Sequence, residues 1–157
     1  MDKENILMRI QDCGIVAVVR AESADKAERI VDACMEGGVA AIELTFSVPH
    51  ADRVIETLSY KYDPKDIILG AGTVMDAATA RIAMLSGAQY IVSPYLDLET
   101  LRMCNRYRVP MMPGVMSVRE AVTAMENGAD ILKIFPGDLF GPKIIKDILG
   151  PIPYAKM

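Results

Sequence analysis

Two charged residues sit in runs that otherwise exclude charge. Lys133 interrupts Ile131-Leu132-Lys133-Ile134-Phe135-Pro136, and Glu43 interrupts Ala41-Ile42-Glu43-Leu44-Thr45-Phe46. An ammonium among apolar neighbours is costly to desolvate, and burial of that kind favours the free amine near neutral pH. A free amine attacks ketones and forms Schiff bases. A buried carboxyl, its proton held more tightly than in water, can supply and recover a proton beside it. Amine and carboxyl together are the minimum equipment for imine chemistry with proton transfer. A lysine on an edge strand that reaches water along its own stem has the same local sequence. The other polar residues therefore decide between the two.

Those residues fall at the ends of β-rich runs. Strands are predicted over 15–20, 41–46, 67–72, 90–94, 109–113 and 131–136, with a last one beginning near Tyr154. Amphipathic helical segments separate them over 23–36, 51–58, 76–86, 96–107 and 117–127, and several end in glycine: Gly37-Gly38, Gly87 and Gly128. Glycine just past a helix suits the left-handed conformation that closes it. Strand and helix in alternation, with short connections, imply a parallel sheet covered by helices, whose chemistry lies at the carboxyl ends of the strands.

Arg20 ends the first run. Glu43 and Thr45 share one face of the second by period-two alternation. The third gives Gly70-Ala71-Gly72-Thr73, the fourth Ser93-Pro94, the fifth Pro113-Gly114 and the sixth Lys133. Singly, each has an ordinary structural explanation. Arg20 suits a solvated strand end, and Gly70-Ala71-Gly72 suits a tight turn or a weak phosphate cradle without the spacing of a nucleotide-binding loop. Ser93 has no base in sight and reads as a lining hydroxyl. Their convergence on one end of the sheet favours a site.

Composition narrows the class. The 157 residues are 52% hydrophobic and 24% charged, enough for one globular domain with a sizeable core. A net charge of −4 with both signs interspersed disfavours nucleic acid and anionic membrane as partners. No apolar run approaches a membrane span, and the polar start Met1-Asp2-Lys3-Glu4-Asn5 is unlike a signal peptide. Cys13, Cys34 and Cys104 are scattered and read as reduced thiols of a cytoplasmic protein. The single histidine, His50, argues against a histidine-rich metal centre or a Ser-His-Asp triad.

Strand starts lie roughly 19–26 residues apart, the spacing of (β/α)₈ barrels of about 250 residues. At that spacing the chain holds about six and a half units and stops in its seventh strand. It is either a doubly wound domain of six or so strands or a barrel lacking its last portion.

Taken in order, six segments resemble the KDPG/KHG aldolases, which act on 2-keto-3-deoxy-6-phosphogluconate and 4-hydroxy-2-oxoglutarate. They are Ile15 to Arg20, Gly38 to Phe46, Gly70 to Val74, Ile91 to Pro94, Pro113 to Val115 and Leu132 to Pro136. The Glu43-x-Thr45 and Lys133-x-Phe135-Pro136 pair carries most of the specificity. The resemblance implies a class I aldolase that needs no metal or other cofactor. It also implies an α/β (β/α)₈ TIM barrel spanning 1–157 as a single domain without the family's C-terminal βα portion, and a homotrimer. Lys133 would form the Schiff base and Glu43 would transfer protons. Arg20, Thr73, Thr45, Ser93, Pro94, Pro113 and Gly114 would line the pocket for a 2-keto-4-hydroxy acid and for pyruvate. Many members place an arginine where this chain has Ser47, so carboxylate binding would lean on Arg20 and Thr73. The glycine-rich loop and eighth-strand Gly-Ser segment that hold a substrate phosphate in the family are absent from these 157 residues. That absence carries an expectation of weak stability, or of association through open sheet edges, for this length of chain alone. The rival readings are an inactive aldolase remnant and a doubly wound phosphoacceptor domain. The latter needs an acidic metal-binding cluster where this chain has Arg20.

Overall fold

The hydrophobic period switches between two and about 3.6 along the chain, and the backbone follows it. The computed structural model describes residues 2–157. A first helix, α1 (Lys3–Cys13), leads into β1 (Val16–Val19), α2 (Ala24–Glu36), β2 (Ala41–Thr45), α3 (Ala51–Lys61) and β3 (Ile68–Gly72). There follow α4 (Ala77–Leu85), β4 (Tyr90–Val92), α5 (Leu98–Arg106), β5 (Met111–Met112), β6 (Gly114–Val115), α6 (Val118–Glu126), β7 (Lys133–Ile134) and α7 (Lys143–Leu149).

Strands β1 to β5 form one parallel sheet in chain order, and β6 pairs in parallel with β7. Each strand from β2 to β5 therefore lies beside its predecessor, and β7 lies beside β6. A doubly wound sheet must reverse direction at a switch point; this one never does. The described residues form an arc of a (β/α)₈ barrel, and the doubly wound alternative is set aside.

Two apolar layers hold the arc. Outward residues of the strands, among them Ile42, Leu44, Leu69, Ala71 and Ile91, pack with Val31, Val54, Ile55, Leu58, Ala80 and Leu101 of the helices. Inward residues Ala41, Ile68, Tyr90, Val92 and Met112 pack with Ile6 and Ile10 of α1, which closes the amino-terminal end of the barrel. Helices α2, α4, α5 and α6 each start on a side-chain cap: Ser23, Asp76, Asp97 and Ser117 accept from the N–H groups of Lys26, Thr79, Thr100 and Glu120. Each such cap contributes about 0.5–2 kcal/mol and fixes where the chain leaves the strand end. Gly87 (φ 104°) and Gly128 (φ 93°) take the left-handed turn after α4 and α6, as their positions suggest.

Three expectations need correction. The fifth strand is broken: Pro113 has no N–H to give a ladder, so pairing stops at Met112 and resumes at Gly114. The strand expected near Tyr154 does not form. The chain turns there, and only Lys156 O accepts a backbone bond from its neighbour, from Leu132 N–H at 2.8 Å. Helices α1 and α7 were not anticipated, because the polar residues of 2–5 obscured the Ile6 and Ile10 spacing and the apolar residues of 144–149 form barely two turns.

Candidate active site

The inward face of β2 carries Ala41, Glu43 and Thr45, and β3 has been pared down beside it. Register places Glu43 opposite Gly70 and Thr45 opposite Gly72. A Cβ at Gly72 would lie 1.8 Å from Glu43 Oε1, so the carboxyl occupies the space a side chain would fill. A Cβ at Gly70 would lie 2.2 Å from the Tyr90 ring. The two glycines are strand residues that let large neighbours cross the sheet, which replaces their expected reading as a turn or a phosphate cradle.

Glu43 is 4% exposed. Burial raises its carboxyl pKa above the ordinary range, and the charges of Lys133 and then Arg20 pull the other way. Both cations therefore act on one carboxyl, although Arg20 follows β1 and Lys133 opens β7 at the far side of the arc. Lys133 is half-buried, less enclosed than its apolar run suggests, and its Nζ lies 5.2 Å from the Phe135 ring centroid. Its N–H donates to Pro113 O at 3.0 Å, and that of Phe135 to Val115 O, which ties the segment to β6. Arg20 is exposed.

Thr73 leaves β3 at φ 56°, a left-handed conformation that a β-branched residue rarely adopts. Strain of this kind is retained where surroundings over-determine it, often at ligand sites. The Thr45 hydroxyl is 2.8 Å from that of Ser47, the residue at the position where the resemblance leads us to look for an arginine. Ser93 is fully buried; its Oγ accepts from Tyr95 N–H at 3.4 Å and its own N–H donates to Met112 O at 3.2 Å. Ser93 thus supports the loop more than it lines an opening. Pro94 and Gly114 touch through backbone: a Cβ at Gly114 would lie 2.2 Å from Pro94 O. Pro113 and Gly114 are buried. A hollow of about 270 Å³ opens there, lined by Pro94, Tyr95, Gly114, Met116, Phe135 and Pro136.

Sequence reasoning named Phe135 only within the Lys133-x-Phe135-Pro136 motif and gave Tyr90 no place in the site. Phe135 places a ring beside Lys133, and Tyr90 fills the interior below Glu43. Alternate glycines within a strand were the available signal, since each marks a close approach from a neighbour.

Comparison with known proteins shows the family. The family model of the KDPG and KHG aldolases matches residues 6–157, and the chain belongs to that family. It is 34% identical over 139 residues to the 2-dehydro-3-deoxy-6-phosphogalactonate aldolase of Escherichia coli K12, covering 88% of this chain and 67% of that protein. It is 33% identical over 127 residues to the 2-dehydro-3-deoxy-phosphogluconate aldolase of Treponema pallidum, covering 81% of this chain and 60% of the relative. The chain therefore spans about two thirds of the length of these curated relatives. A crystal structure of the KDPG aldolase of Legionella pneumophila, with pyruvate captured as a covalent carbinolamine, superposes with a TM-score of 0.83 at 28% identity, over 90% of this chain and 68% of that one. None of the described helices is long and apolar enough to cross a membrane.

Proposed function

We propose that these residues belong to a class I aldolase that cleaves a 2-keto-4-hydroxy acid to pyruvate and an aldehyde through a Schiff base on Lys133. The observation that carries this is the buried Glu43 carboxyl under the joint influence of Lys133 and Arg20 at the carboxyl ends of the strands. Membership of the family supports the same chemistry.

The Lys133 amine attacks the C2 ketone to give a carbinolamine, whose hydroxyl takes up a proton and leaves as water to give a protonated imine. The C3–C4 bond then breaks: its electron pair moves into the iminium to form an enamine while the C4 hydroxyl gives its proton to the Glu43 carboxylate, and the aldehyde leaves. Glu43 delivers a proton to C3 of the enamine, and water hydrolyses the resulting imine to pyruvate and free lysine. Burial suits Glu43 to this, because a carboxyl with a raised pKa holds a proton closer to neutral pH. Arg20 and Thr73 receive the substrate carboxylate, with Thr45 beside them. Pro94, Pro113 and Gly114 form the wall, and Ser93 fixes it from behind.

The substrate acids named for the relatives are the natural probes: 2-keto-3-deoxy-6-phosphogluconate, its galactonate epimer and 4-hydroxy-2-oxoglutarate. Pyruvate release from each, followed by coupled reduction to lactate, tests the proposal on the full chain that carries these residues. Release that disappears in Lys133→Ala supports it; release from none of the three, or release that survives the substitution, contradicts it. We further propose a homotrimer, in keeping with the exposed apolar side chains of Tyr95, Met116 and Phe135 around one hollow. Sedimentation should give three times the chain mass, and a monomer at all concentrations would refute that assembly.

A further inference from the structure

Tyr90 heads the fully buried side chains by volume, and its hydroxyl has no hydrogen-bond partner among the described residues. Buried phenols are ordinarily paired, so an orphan in the interior calls for a reason. Its position supplies one. Gly70 pairs with Tyr90 on one side and with Glu43 on the other. A Cβ at Gly70 would lie 2.2 Å from Tyr90 Cζ, the carbon that bears the hydroxyl. The tip of the phenol therefore lies over β3 at Gly70, the residue between Tyr90 and Glu43 in the register, while the Glu43 carboxyl lies over Gly72.

The surroundings leave few acceptors. Tyr90 belongs to one apolar cluster with Ile6, Ile10, Ala41, Ile68, Val92 and Met112. The titratable groups that act on the phenol are Glu43 and Cys13, and the Cys13 thiol already donates to Ile15 O at 3.2 Å. Those that act on Glu43 are Lys133 and Arg20. A phenol is a donor, and Glu43 is the acceptor in its neighbourhood that carries chemistry. Catalytic hydrogen bonds often close only when substrate is bound.

We propose that Tyr90 is a positioning residue for Glu43: its hydroxyl donates to the Glu43 carboxyl in the substrate complex and holds it aimed at the enamine on Lys133. The inference rests on the assignment of Glu43 as the proton-transferring group, and its test separates the two.

Tyr90→Phe removes the donor and keeps the ring. Two measurements on the full chain read different steps. Trapping of pyruvate by borohydride counts imine formation at Lys133, and exchange of the pyruvate methyl protons with heavy water requires proton transfer at C3. In Tyr90→Phe, exchange per trapped site should fall about tenfold or more, the scale of a hydrogen bond to a charged group. Trapping should stay within about two-fold of the parent by the same reckoning, since imine formation does not need the phenol. The exchange profile should also shift to higher pH, because a carboxylate deprived of a donor binds its proton more tightly. Unchanged exchange and an unchanged profile at normal trapping would overturn the proposal. So would loss of trapping together with folding, which would make Tyr90 a packing residue. A parent protein that failed to trap pyruvate would remove the Lys133 assignment itself, and the role of Tyr90 with it.

Discussion

Glu43 is where burial and charge oppose each other most directly. Its carboxyl is almost inaccessible, so desolvation favours the protonated form, and Lys133 and Arg20 only moderate this. Glu43→Gln keeps shape and removes the titration. Turnover should fall by about 10²–10⁴, the usual cost of losing a general acid or base, while borohydride trapping persists in part. A turnover within a few-fold of the parent would reduce Glu43 to a structural carboxyl. The same raised pKa bears on stability. The folded state binds the proton more tightly than the unfolded state, so stability is lost as pH climbs from the unfolded carboxyl value through the raised folded one. Glu43→Gln has no such loss. Unfolding titrations from pH 4 to 8 should show the variant gaining on the parent as pH rises, and a gap independent of pH would contradict the burial argument. Glu43 and Lys133 were legible in the sequence because each breaks an apolar run. Tyr90 was not, since a tyrosine in a β-rich segment is ordinary, and only register sets it and Glu43 on either side of Gly70.

At the scale of elements, β3 shapes the interior by what it lacks. Gly72→Ala would set a methyl 1.8 Å from Glu43 Oε1, so the carboxyl must move. Activity should then fall toward that of Glu43→Gln while the fold is retained, as circular dichroism and kinetics would show. Full activity would mean that the carboxyl has freedom the packing denies. Gly70→Ala meets a wholly buried ring instead, which has nowhere to go. Overpacking of that kind typically costs about 1–3 kcal/mol, readable from a denaturant midpoint; an unchanged midpoint would contradict the close approach. Most strands and helices could be read from period and caps, with boundaries within a few residues. The break at Pro113 and the missing strand near Tyr154 could not. Both depend on whether a neighbour completes the ladder, and no local pattern encodes that.

For the whole molecule, strand order is the decisive feature. Alternating strands and helices suit a barrel and a doubly wound sheet equally, and only the sequential order of β1 to β5, followed by the β6–β7 pair, separates them. The family segments resolved from sequence what periodicity left open. Helix α1 contributes at this scale too: Ile6 and Ile10 seal the interior beneath Tyr90 and Met112. Ile10→Ala should cost about 2–5 kcal/mol, as buried truncations do, and a loss well under that range would show that α1 is not part of the core. On the proposed mechanism the elements bring an amine on β7 to a carboxyl on β2, and one measurement asks whether they do. Incubation of the protein with pyruvate and borohydride, followed by peptide mapping, should place a single reduced pyruvate adduct on Lys133 and none in Lys133→Ala. An adduct on Lys143, Lys146 or Lys156 with Lys133 unmodified, or no adduct on folded protein, would contradict the account.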